Sequence, residues 1–114
     1  MLTTESKELS FVLETIEDIK GQNIVNLSVE HLTEIMSNIV IATATSKQHC
    51  QAIGRHLLES AKLNKINIIG VEGLDEKEWV LIDLGDIVVH IMIEETRKFY
   101  ELEKLWNISG IKQS

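Results

Sequence analysis

Apolar residues recur along the chain at two different spacings, and these spacings separate the predicted helices from the predicted strands. Over residues 5–20, apolar side chains recur at steps of three and four. They are Leu9, Val12, Leu13, Ile16 and Ile19. This spacing places them on one face of an α-helix, and Gly21 follows where the helix would end. The first segment is therefore predicted to be an amphipathic helix.

Five segments rich in β-branched residues predict strands. They span residues 23–28, 38–44, 65–70, 79–84 and 87–93. The last two flank Gly85 and Asp86 so closely that they predict a β-hairpin. Residues 71–77, between the third and fourth strands, are predicted to form a loop.

Two more helices complete the predicted pattern. The first spans about residues 46–63, with Thr45 as its N-cap and Gln48 completing a capping box. It would pack Ile53, Leu57 and Ala61 inward. The second is predicted to run unbroken over residues 94–106, with two glutamates in its first turn that suit the helix dipole. The order α-β-β-α-β-β-β-α predicts an α/β domain of α+β character, with a five-stranded mixed sheet and helices mainly on one face.

The predicted hairpin has two different faces, because successive side chains of a strand point to opposite sides. One face is wholly aliphatic and predicts the core: Val80, Ile82, Leu84, Ile87, Val89 and Ile91. The other face mixes apolar and polar groups: Trp79, Leu81, Asp83, Asp86, Val88, His90 and Met92. An aromatic anchor within a polar rim is typical of a protein–protein interface. The alternative is that more of the chain folds over this second face.

Metal binding and catalysis have little support in the sequence. Asp83, Asp86 and His90 could hold a divalent ion or relay a proton if they converged, although hairpin turns favour aspartate anyway. On the second helix, His49 and His56 would lie two turns apart, about 10 Å, too far for one zinc ion without other ligands. Residues 70–73 lack the lysine and the glycine spacing of a phosphate-binding loop. No catalytic, cofactor or metal site is therefore predicted.

The length and the net charge of the chain limit the kinds of function that it can have. The chain has 114 residues, 44% of them hydrophobic, which predicts a single domain over residues 1–114 with a core of about 4–106 and a short tail, 107–114. Eighteen acidic against 11 basic residues give a net charge of −7, which disfavours sequence-independent nucleic-acid binding. A basic protein surface is the charged partner that this balance favours.

The cellular location is predicted from cysteine usage and from the N-terminal residues. A single cysteine, Cys50, excludes an intrachain disulfide and suits a reducing compartment. The first 20 residues are acidic, unlike a secretory or organelle-targeting segment, and no apolar run approaches the ~20 residues that span a bilayer. We therefore expect a cytoplasmic protein without a membrane partner.

Several blocks of the chain, taken in order, resemble one known family. They are residues 23–25, residues 39–46, residues 70–73, the hairpin from Trp79 to His90, and a C-terminal set formed by Arg97, Tyr100, Leu102, Glu103, Leu105 and Trp106. Each block is short, and the hairpin is the most specific. In this order and spacing they resemble the ribosomal silencing factors RsfS, the Iojap-like family, over nearly the whole chain.

The resemblance implies a factor that docks on the large ribosomal subunit through the ribosomal protein uL-fourteen. Bound there, it would block joining of the small subunit and repress translation during nutrient limitation. By motif match, the partner-binding residues would be Trp79, Leu81, Asp83, Asp86, His90 and Tyr100. An exposed apolar sheet face also favours a homodimer when the partner is absent.

The family's fold is similar to that of nucleotidyltransferases, although its members are not known as such enzymes. The resemblance therefore implies a binding protein that is not an enzyme and needs no cofactor. The alternative from another class is a metal-dependent, nucleotidyltransferase-like enzyme that uses Asp83 and Asp86. Magnesium-dependent nucleotide binding would distinguish the two.

Overall fold

The computed structural model describes residues 7–75 and 78–107, with side chains described up to residue 104. The predicted start of the first helix at residue 5 and the tail beyond residue 107 lie outside the described residues. The elements in chain order are α1 (Lys7–Asp18), β1 (Gln22–Ser28), β2 (Asn38–Ala44), α2 (Lys47–Leu63), β3 (Gly70–Glu72), β4 (Trp79–Asp83), β5 (Ile87–Ile93), α3 (Glu94–Tyr100) and α4 (Leu102–Asn107).

The strands form one mixed sheet in the order β1-β2-β5-β4-β3. The central pair, β2 and β5, is parallel, and each of the other three pairs is antiparallel. The predicted hairpin is present, with Leu81 opposite His90 and Asp83 opposite Val88. The predicted five-stranded mixed sheet, with helices mainly on one face, is confirmed.

One face of the sheet is covered by α1 and α2 and contains the larger core. Apolar residues of both helices are buried there against β2, β4 and β5, including Val12, Ile53 and Leu57. Gly54 allows α2 to lie close to β4, since a Cβ at this position would be 3.0 Å from the side chains of Leu74 and Val80. The residues predicted to face the core along the hairpin are all buried.

The opposite face is covered over only part of its width. A second buried cluster lies over β1, β2 and the end of β5. It is formed by Leu27, Val29 just after β1, Ile39, Ile41 and Met92, with Leu32, Met36 and Leu102 packed against it. The expectation that Met92 belongs to an exposed surface is therefore wrong, because other parts of the chain fold over it. Over β4 and the rest of β5, the alternating side chains stay partly exposed.

The third strand lies later in the chain than predicted. Residues 65–70 were expected to pair, yet the ladder with β4 involves Gly70, Val71 and Glu72, part of which was assigned to a loop. The apolar residues Ile66 and Ile68 instead pack against the larger core without forming a strand. The strand-like pattern of apolar residues in 65–70 therefore reflects packing against the core and not membership of a strand.

Two helix predictions also need correction. Ser46, not Thr45, is the N-cap of α2, and its Oγ accepts a hydrogen bond from the His49 backbone N–H at 3.0 Å. The last helix is broken, because Glu101 adopts a left-handed conformation (φ 48°, ψ 51°) that ends α3 before α4 begins.

None of the helices within the described residues has both the length and the apolar character needed to cross a bilayer.

Candidate docking face

The candidate site is the partly exposed part of the second sheet face, which we call the docking face. It consists of Trp79, Leu81 and Asp83 on β4 and Val88 and His90 on β5. These five side chains alternate with fully buried core residues along both strands. Directly opposite side chains of an antiparallel pair lie about 5 Å apart, so the register brings Leu81 next to His90 and Asp83 next to Val88.

An aromatic cluster occupies one end of the docking face. The Trp79 indole N–H donates to His90 Nδ1 at 3.0 Å, and the two rings lie 5.8 Å apart between centroids. The ring centroid of Tyr100, at the end of α3, lies 4.9 Å from that of Trp79, and the two rings are tilted by 51°. Two other predicted partner-binding residues, His90 and Tyr100, therefore each contact Trp79.

His90 is held neutral in this cluster. Burial lowers the pKa of His90 to about 4, because an imidazolium ion would lose hydration there. Since Nδ1 accepts the hydrogen bond from the indole N–H, the neutral ring carries its own proton on Nε2. His90 therefore presents a hydrogen-bond donor at neutral pH and orients Trp79 with its other nitrogen.

The two predicted aspartates have local bonds in the hairpin turn. Asp83 Oδ1 accepts from the Gly85 backbone N–H at 2.8 Å, which fixes the tight turn where Gly85 has a φ of 93°. Asp86 is exposed, and its Oδ1 accepts from Ser37 Oγ at 2.9 Å. Asp86 thus lies in the turn beyond the docking face. Among residues 7–75 and 78–107, no three His, Cys, Asp or Glu side chains are grouped to hold a metal ion.

An open groove of about 570 Å³ adjoins the aromatic cluster. Its lining combines aromatic, aliphatic and acidic side chains with one lysine: Lys47, Glu72, Gly73, Glu78, Trp79, Leu81, Thr96 and Tyr100. Glu78 accepts a hydrogen bond from Thr96 Oγ1 at 3.1 Å and lies 3.6 Å from Lys47 Nζ in an exposed ion pair. Glu72, opposite Leu81 across the β3–β4 ladder, is exposed at the groove's edge.

Three side chains beside Trp79 and Tyr100 were not among the predicted partner-binding residues: Phe99, Glu72 and Glu78. Phe99 is 79% exposed and lies edge-on to Tyr100, with 4.9 Å between ring centroids. Consecutive residues on a helix point about 100° apart, so the rings of Phe99 and Tyr100 spread over a wide arc of α3. This spread was the signal in the sequence that an aromatic ring of α3 could lie towards solvent beside the hairpin.

The side chains of His49 and Cys50 both form hydrogen bonds with other parts of the fold. His49 Nδ1 accepts from the Thr45 backbone N–H at 2.9 Å, and its Nε2 lies 2.8 Å from the Ile19 carbonyl oxygen, so the ring joins the end of α1 to the start of α2. Cys50 is fully buried, and desolvation raises the pKa of its thiol to about 11, against a smaller lowering by a Val80 backbone hydrogen bond. The thiol donates to the Ile91 carbonyl.

Comparison with known proteins identifies relatives over almost the whole chain. The family model described as "Ribosomal silencing factor during starvation" matches residues 3–114. The ribosomal silencing factor RsfS of Chromobacterium violaceum is 37% identical over 103 residues, which cover 90% of this chain and 84% of that protein.

A solved structure and an organelle relative extend the comparison. A crystal structure of a Chromobacterium violaceum protein superimposes with a TM-score of 0.84 at 37% identity, covering 97% of this chain and 92% of that one. The mouse protein named "Mitochondrial assembly of ribosomal large subunit protein 1" is 39% identical over 72 residues, 60% of this chain and 32% of that protein.

Proposed function

The chain belongs to the family of ribosomal silencing factors, RsfS, and from this premise we propose that it binds the large ribosomal subunit in the cytoplasm. Docked there, it would prevent joining of the small subunit and so repress translation when nutrients are scarce. The ribosomal protein uL-fourteen is the proposed contact. The name of the mouse relative, which refers to the large subunit, supports this choice of subunit.

The observation that carries the proposal is the aromatic cluster at the edge of a half-covered sheet face. Trp79 is partly exposed, its indole N–H is hydrogen-bonded to His90, and its ring packs against Tyr100. A rigid aromatic anchor loses little conformational entropy on binding, and tryptophan and tyrosine are enriched among interface hot spots. The exposed Phe99 widens the apolar surface next to this anchor.

Charge around the anchor favours a basic protein partner. Glu72 and Glu78 line the groove beside Trp79, and Asp83 lies further along the docking face. Lys47 pairs with Glu78 and offsets part of this acidity. The overall charge of −7 opposes attraction to ribosomal RNA, so local acids must meet local basic side chains of a ribosomal protein.

The proposal is tested by light scattering of subunit joining. Large subunits incubated with the protein before small subunits are added should join less than untreated ones. Trp79→Ala should weaken large-subunit binding by about 2 kcal/mol or more, the typical cost of removing a hot-spot tryptophan, and should relieve the block.

A matched control is available on the other side of the molecule. Leu63, at the end of α2, is 83% exposed, so Leu63→Ala also shortens an exposed apolar side chain. It should bind like the unaltered protein. Circular dichroism must show both variants folded. If Trp79→Ala binds as well as Leu63→Ala, the docking face has been assigned wrongly.

Two further hypotheses concern the same residues. A homodimer that covers the aromatic cluster in the absence of ribosomes remains part of the proposal, since Phe99 and Tyr100 are both exposed in the single chain. For the enzymatic alternative, Asp83 and Asp86 bond to different groups of the hairpin region. No observation on the described residues favours metal-dependent catalysis by this pair.

A further inference from the structure

Arg97 connects four separate parts of the chain through one nearly buried side chain. Its side chain is 11% exposed. Nη1 donates to the Asn23 carbonyl oxygen and to Thr43 Oγ1, both at 2.7 Å. Nε and Nη2 donate to the two carboxylate oxygens of Glu103 at 3.1 and 2.9 Å. The guanidinium thus joins α3 to the start of β1, to β2 and to α4.

The bonds of Arg97 lie at the corner where the last helix breaks. Asn23 has a φ of 48° within an irregular part of the β1–β2 pairing, and Arg97 bonds to its carbonyl. Glu101, between Arg97 and Glu103, has the left-handed conformation that ends α3. The turn brings Leu102 onto the second sheet face, against the cluster that contains Met92. In an unbroken helix, residues six positions apart point about 120° away from each other, so the Arg97–Glu103 pair forms only because the helix turns at Glu101.

Tyr100 lies directly beside this corner. Tyr100 is the last residue of α3, three residues after Arg97 and directly before Glu101. Its ring packs on Trp79 from this position. A change in the direction of the corner would therefore move the Tyr100 ring relative to the indole.

We propose that Arg97 is a positioning residue for ribosome docking, because its bonds to Glu103, Thr43 and Asn23 hold the α3–α4 corner in the shape that keeps Tyr100 against Trp79. This inference rests on the proposed function and adds a residue behind the docking face that need not contact the partner. Lysine could not replace it, since a single ammonium group cannot form the two parallel bonds to Glu103 and also bond to β1 and β2.

The test uses Glu103→Ala and Arg97→Lys, with Glu94→Ala as the matched control. Glu94 also pairs with a basic residue of α3, Lys98, at 3.4 Å, but both side chains are largely exposed. All chains carry Trp106→Phe, which leaves Trp79 as the only tryptophan. Acrylamide quenching of Trp79 fluorescence in the free protein measures how far the indole is exposed to solvent. The affinity for large subunits measures docking.

The inference predicts that Glu103→Ala and Arg97→Lys increase quenching of Trp79 and weaken large-subunit binding about tenfold, equivalent to ~1.4 kcal/mol. Glu94→Ala should change neither.

A lower melting temperature with unchanged quenching and affinity would mean that Arg97 only stabilises the fold, and would overturn the inference. Weaker binding with unchanged quenching would also overturn it, by indicating direct contact of Glu103 with the partner. If the unaltered protein does not bind large subunits, the proposed function fails, whereas the quenching result still decides whether Arg97 positions Tyr100.

Discussion

Replacing His90 with asparagine should remove one specific part of the protein's acid sensitivity. The imidazole is partly buried beside Trp79, and the resulting loss of hydration lowers its pKa from 6.5 to about 4. Asparagine does not titrate in this range, and its side-chain oxygen can take the place of Nδ1 as acceptor for the indole N–H. The substitution therefore removes the titration while it preserves the hydrogen bond that orients Trp79.

The sign and size of the effect follow from the shifted pKa. Above pH 6.5, His90 is neutral in both the folded and the unfolded chain, and its contribution to stability is fully present. Between pH 6.5 and pH 4, the unfolded chain binds a proton that the folded chain does not, so the free energy of unfolding falls as the pH falls. The shift of His90 corresponds to about 3 kcal/mol at most, at 1.36 kcal/mol per pKa unit. Below pH 4, both states are protonated and this loss stops.

Urea unfolding at several pH values from 7 to 4 measures the effect. The difference in unfolding free energy between the unaltered protein and His90→Asn should shift by roughly 1–3 kcal/mol in favour of the variant over this range. His31→Asn, at an exposed histidine, should follow the unaltered protein and serves as the control. A difference between the unaltered protein and His90→Asn that stays constant with pH would refute the assignment of His90 as a buried neutral acceptor.

Two other substitutions test the scaffold around the site, each by urea unfolding beside a neighbouring control. Gly73→Ala should destabilise the protein by about 1–3 kcal/mol, because Gly73 has a φ of 87° and an added Cβ would collide with the Trp79 carbonyl oxygen. Gly70→Ala, whose Cβ would have no neighbour within 4 Å, should cost much less, and equal costs would contradict the reasoning. Ser46→Ala should lower the free energy of unfolding by about 1 kcal/mol, because α2 loses its N-cap, and Thr45→Ala should lower it less. A larger loss for Thr45→Ala would show that Thr45 is the N-cap, as the sequence predicted.

Helices and strands whose positions depend only on which of their residues are buried could be predicted from the sequence. β2 has the predicted bounds, because its β-branched run is buried on both faces of the sheet. The inward residues of α2 follow from helical spacing. The third strand could not be found this way. Ile66 and Ile68 are partly buried against the core without forming a strand, whereas the short edge strand depends on a partner distant in sequence.

The break in the last helix and the shape of the site depend on tertiary contacts. Residues 94–106 contain no proline or glycine, and the corner at Glu101 coincides with the Arg97–Glu103 pair and the packing of Leu102. Strand alternation correctly placed Trp79 and His90 on one face, although not the hydrogen bond between them. The contact of Tyr100 with Trp79 could be seen only after α3 had been placed.

The central claim, that this protein binds the large ribosomal subunit through a protein contact, is tested most directly by sedimentation with separated ribosomal subunits. The protein should sediment with large subunits and not with small ones. Because a −7 domain gains nothing from RNA phosphates, this binding should fall only moderately as salt is raised. Equal sedimentation with both subunits, no sedimentation with the large subunit, or a steep loss with salt typical of phosphate contacts would contradict the account.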